Sequence, residues 1–142
     1  MRLTLELERA GPVPPLPGDG AALVAFMSFA ISRGFGATHP LIALADRLHD
    51  TLHVRLGPLT TFYDAEAEDS EDRAKLALAW QDPAPLRESL QAVASAIRSD
   101  AQCQALAHRA GTDELGAQAA ALIPALCDAE AAGERVRLVY CL

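Results

Sequence analysis

Leu3-Thr4-Leu5-Glu6-Leu7-Glu8 alternates apolar and polar residues at one end of the chain, and Arg135-Val136-Arg137-Leu138-Val139-Tyr140-Cys141 repeats the period at the other. A period of two is the mark of a half-buried strand. Leu3, Leu5 and Leu7 share one face of the first; Val136, Leu138 and Tyr140 share one face of the second. On the opposite faces the first segment carries Glu6 and Glu8, the second Arg135 and Arg137. Facing strands with opposite charges gain about 0.2–1 kcal/mol per pair, so the two ends are predicted to lie side by side.

Between them the sequence reads as helix. Of 142 residues, 29 are Ala and 21 are Leu, while Val and Ile together number ten. Ala and Leu are strong helix formers, and Val and Ile favour strands. Residues 11–18 carry four prolines and form a stiff connection. Ala21 to Ser32 is apolar nearly all round, which predicts a buried helix that is central or at a subunit interface. A second helix follows, capped by Thr38 or His39, with Pro40 in its first turn and Leu41, Leu44, Leu48 and Leu52 facing the core. Leu56 to Tyr63 holds a Gly57-Pro58 turn and then a short strand over 59–63. Residues 64–72 carry six acids and no base and read as a solvated loop or helix start. Residues 75–80 are open between helix and strand. Leu86, Leu90, Val93 and Ile97 form a helical stripe, and a short helix follows from Ser99 or Asp100 to Gly111. Thr112 is expected to cap the last helix and Pro124 to kink it. The fold class predicted is α+β and helix-rich, five or six helices packed on a small sheet containing the N- and C-terminal strands. The chain, residues 1–142, is the length of one globular domain.

Charge and cysteine content narrow the partners. The formal net charge is −7, and no basic stripe appears, so nothing points to phosphate-driven binding of nucleic acid or to an acidic membrane surface. The most apolar run is about half the length of a bilayer span, and Met1-Arg2 leads straight into the alternating segment without a signal-peptide pattern. Cys103, Cys127 and Cys141 are odd in number and far apart. They read as reduced, buried thiols of a cytoplasmic protein.

Two constellations could carry chemistry. Asp46-x-x-His49-Asp50-x-x-His53 places two imidazoles four residues apart on the second helix, the spacing that presents both to a metal. Asp46 would join them and Asp50 would orient His53. The position after the first His is Asp rather than the Glu of the zinc-protease pattern, and a third ligand would have to come from elsewhere in the fold, from His39, His108 or a Cys. The bland alternative is a boundary pair beside the leucine stripe. The second constellation, Arg33-Gly34-Phe35-Gly36-Ala37-Thr38-His39-Pro40, is a glycine-containing turn before a helix, where backbone amides could hold a ligand beside Arg33, Gly34, Gly36 and His39. It lacks the Lys-Ser/Thr of a phosphate loop. Arg9-x-x-Pro12-x-x-Pro15 fits a polyproline ligand but reads more simply as the connector. No nucleophile-elbow, dinucleotide or ATP pattern is present.

The sequence therefore leads to a small non-catalytic binding or interaction protein without a cofactor, self-associating or joined to another protein. The alternative is a metal-dependent enzyme or metal-binding protein using a divalent ion such as zinc at His49 and His53. A small-molecule pocket beneath the Arg33–Pro40 turn is a third class.

Overall fold

A computed structural model describes residues 1–33 and 39–142. The terminal strands β1 (Arg2–Leu7) and β4 (Val136–Cys141) pair antiparallel. Their register places Leu3 opposite Tyr140, Leu5 opposite Leu138 and Leu7 opposite Val136. The alternation predicts this face, and Leu3, Leu5, Val136 and Leu138 lie in the core. On the other face Arg135 Nη2 donates to Glu8 Oε1 at 2.7 Å, and Arg137 Nε donates to Glu6 Oε1 at 3.3 Å. Two short strands complete the sheet in the order β2-β1-β4-β3. β2 (Gly11–Pro12) folds back on β1, and the buried Glu134 carboxylate accepts from the Arg9 and Ala10 amides in the turn between them. β3 (Phe62–Asp64) runs parallel to β4, which makes the sheet mixed.

Helices α1 (Ala21–Ile31), α2 (Pro40–Asp46), α4 (Pro83–Ser99), α5 (Ala101–Arg109), α6 (Leu115–Ala121) and α7 (Ile123–Ala131) build the core with the sheet. α1 is central, touching β1, α2 and α6, with Leu23, Val24, Phe26, Met27 and Ala30 buried. Its N-cap, Gly20, has no side chain to satisfy the first amides. Gln118, fully buried on α6, does so instead, accepting from the Leu23 amide at 3.0 Å. Gly20 itself has a φ of +71°, and a Cβ there would stand 2.9 Å from Leu3 Cβ, so both backbone hand and space require glycine.

The last predicted helix is divided into α6 and α7. Pro124 lies in the first turn of α7, where its missing N–H costs nothing. Counted as two arms of one broken helix, they make six helical units with α3 (Ser70–Leu78) among the described residues. Thr112 does not cap this helix; its Oγ1 donates to the Ala107 carbonyl and closes α5.

The ambiguous segments resolve by local chemistry. Residues 57–60 form a 3-10 turn instead of the start of a strand, because Pro58 fixes the first turn and the Thr60 and Thr61 hydroxyls donate back to Gly57 O at 3.0 and 3.1 Å. The strand begins only at Phe62. The acidic segment supplies the cap of α3, with Asp69 Oδ1 accepting from the Asp72 amide at 2.8 Å. α3 runs through Leu78, so residues 75–78 are helical, and Gln81 then bridges to Val136. Arg137 ties α3 to the outer face of the sheet. Its Nη1 donates to Leu76 O at 2.8 Å, and its guanidinium lies 4.3 Å from the centre of the Trp80 ring. All three cysteines are free, but only Cys103 is buried; Cys127 is exposed and Cys141 half-buried. Among the described residues no helix is long and apolar enough to cross a membrane.

Candidate functional site

α2 does not continue as a regular helix through His53. After Asp46 the chain widens into a π turn over Arg47–Thr51. Leu52 N–H donates to Arg47 O at 3.1 Å, and Val54 N–H reaches back to Leu48 O at 2.8 Å. His53 lies between them with a φ of +57°. This is the left-handed position that glycine usually occupies after a helix, and a histidine there carries backbone strain. Two anchors hold the segment. Leu48 is fully buried. Arg47, the first residue of the turn, donates from Nε to Asp100 Oδ2 at 2.7 Å and from Nη2 to Oδ1 at 2.9 Å.

The predicted metal face presupposes a regular helix from Asp46 to His53, and the π turn over Arg47–Thr51 and the left-handed His53 depart from one. Asp46 faces Arg33 Nη1 at 3.7 Å instead. Asp50 does not orient His53; its Oδ1 accepts from His49 Nδ1 at 2.7 Å and faces Arg33 Nη1 at 3.5 Å. The His49 hydrogen bond, aided by the charges of His49 and Arg33, holds the Asp50 carboxyl below its ordinary pKa. Among the described residues no three His, Cys, Asp or Glu side chains gather where they could hold a metal ion.

The two constellations nevertheless meet in one place. Arg33, His49 and His53 line a single cleft of about 780 Å³, within the ordinary size of a small-molecule site. Ala30 and Ile31 at the end of α1 form one wall, Val54 and Leu56 another, and Gly57 and Thr60 of the 3-10 turn close the end. Arg55 also lines it, a residue that the sequence did not single out. Its backbone is fixed from below: the buried Ser89 on α4 donates from Oγ to the Arg55 carbonyl at 2.6 Å. No local pattern signals Arg55, because its place depends on α4, which lies far along the chain.

His39 serves the fold. Its Nδ1 accepts from the Leu41 amide at 3.1 Å, capping α2, and its ring stacks on Phe29 with centroids 3.8 Å apart and planes at 9°. Of the two caps predicted for α2, Thr38 or His39, this is the second. The remaining ligand candidates, Gly34 and Gly36, and the alternative cap Thr38 lie outside the described residues. The chain matches no protein-family model, no curated protein and no solved structure.

Proposed function

We propose that this is a non-catalytic binding protein that holds a small molecule in the cleft between the end of α1, the π turn and the 3-10 turn at Gly57. The observation that carries this reading is a coincidence of irregularities. A π turn and a left-handed histidine stand one after the other, and both face the same cleft. Each departs from the cheapest backbone, and such departures cluster where a surface is shaped for a ligand. The free thiols fit a reducing compartment such as the cytoplasm.

A thermal-shift screen of small molecules tests the reading, because a ligand selective for the folded state raises the melting temperature by mass action. Compounds that stabilise the wild type should lose the effect when Gly57→Trp obstructs the cleft. A screen without stabilising compounds, or one whose hits are indifferent to that substitution, would contradict it.

A second reading, self-association, draws on α3. None of its nine residues is buried, and Leu78 is 84% exposed. A helix this short is marginal without packing, and a second copy would supply it. Native mass spectrometry should then show an oligomer that Leu78→Glu dissociates; a monomer in the wild type would end this reading.

A further inference from the structure

We infer that the ligand of this cleft is a small organic anion, a carboxylate or phosphate group on an apolar body; this rests on the binding reading above. The first support is charge. The chain has seven more acidic than basic residues, yet among the described residues every ionisable side chain lining the cleft is Arg or His: Arg33, His49, His53 and Arg55. Among the described residues no carboxylate lines it.

The second support is how the guanidiniums are spent. Arg47, Arg87 and Arg135 each meet a carboxylate at 2.7 Å, the separation of a fully engaged charged hydrogen bond. Arg33 meets Asp46 and Asp50 only at 3.7 and 3.5 Å. Neither carboxylate reaches it at the length of an engaged charged hydrogen bond, and the nearer partner of Asp50 is His49 at 2.7 Å. Arg55 makes no side-chain hydrogen bond or ion pair among the described residues, while Ser89 fixes its backbone. Arg73, Arg98 and Arg109 are also exposed, but they are scattered on α3, α4 and α5. Arg33 and Arg55 share a concave site. Guanidinium is the group best matched to the paired oxygens of a carboxylate or phosphate.

The third support is the rest of the lining. Ala30, Ile31, Val54 and Leu56 are apolar, and Ile31 is 53% exposed. Ala30, Val54 and Leu56 are largely buried, so Ile31 offers most of the apolar surface, one that a hydrocarbon body would use and a bare inorganic ion would not. The anionic group faces the arginines and histidines, and the body lies along α1 and Val54.

The test is a titration of the full-length protein followed by amide chemical shifts, with benzoate and phenyl phosphate as anionic probes and benzyl alcohol as their neutral counterpart. Both anions should give saturable millimolar shifts at residues 31–33 and 53–60, with benzyl alcohol at least tenfold weaker. Arg33→Gln and Arg55→Gln should each weaken the anions about tenfold and leave benzyl alcohol unchanged, with amide spectra elsewhere preserved to show that the fold is intact. If benzyl alcohol binds the cleft as tightly as benzoate, the anion inference fails and the binding reading stands. If no probe gives saturable shifts at the cleft, or the anions saturate elsewhere, both fail.

Discussion

Arg47 and Asp100 meet through two hydrogen bonds, Nε to Oδ2 at 2.7 Å and Nη2 to Oδ1 at 2.9 Å, and join the first residue of the π turn to the N-cap of α5. The same carboxylate accepts from the Cys103 amide at 2.9 Å. One side chain thus caps a helix and fixes the cleft wall. The Arg47 hydrogen bonds, followed by those from Cys103, hold the Asp100 carboxyl far below the usual carboxylate range.

That depression sets a pH dependence. A carboxyl with a lowered folded pKa contributes stability that is full above its unfolded value of about 3.8 and is lost as pH falls toward the folded value. Asp100→Asn keeps a capping oxygen but removes the charge. It should lower the melting temperature by a few degrees at pH 7 and flatten the loss of stability below about pH 4. Parallel acid unfolding curves for wild type and variant would show that the pair contributes nothing.

His53→Gly separates backbone strain from side-chain function. Relief of the left-handed conformation is worth about 1–2 kcal/mol, against roughly 0.5–1 kcal/mol for the greater chain entropy of glycine. The variant should be more stable by a few tenths to about 1 kcal/mol and should bind benzoate more weakly. Denaturant unfolding and the amide titration measure the two effects. A gain in stability with unchanged binding would reduce His53 to a helix stop.

Arg137→Glu should destabilise the sheet, since it loses Glu6, the Leu76 carbonyl and the Trp80 ring together. Adding Glu6→Arg should recover the charge pair's share, about 0.2–1 kcal/mol. Adding Glu8→Lys should recover nothing, because Glu8 belongs to Arg135. A double-mutant cycle by urea unfolding distinguishes the partners.

Gln118→Leu removes the acceptor of a buried amide. The Leu23 N–H at the start of α1 would be left unsatisfied, at a cost of about 1–3 kcal/mol. Equilibrium unfolding reads the loss, and hydrogen exchange should quicken at the first turn of α1 before the rest of the core. A neutral substitution would mean that water reaches that amide.

What was legible in the sequence was local and periodic. The alternation of Leu3 to Glu8 and of Arg135 to Cys141 encodes which faces are buried and, through the charges, that the strands are neighbours. Asp82-Pro83 and the Leu86–Ile97 stripe encode α4 in the same way. The site was only half legible. Arg33 stood out in its glycine-containing turn and His49 and His53 by their spacing, but the geometry expected of the two histidines was that of a regular helix. The leucine stripe encodes the burial of Leu48, but the tie of Arg47 to Asp100 that anchors the π turn is a tertiary contact and leaves no mark in the spacing. Arg55 had no signal, because a serine on α4 positions it. Cys127 and Cys141 were misjudged for a related reason: a small thiol suits a core, but burial depends on the face that the fold presents.

The most direct test of the cleft as an anion site is a crystal structure of the protein with phenyl phosphate bound. The account predicts the phosphate against the guanidinium of Arg33 or Arg55 and the ring along Ile31 and Val54. A structure with the cleft empty and the ligand elsewhere, or with the ring in the cleft and the phosphate turned away from both arginines, would contradict it.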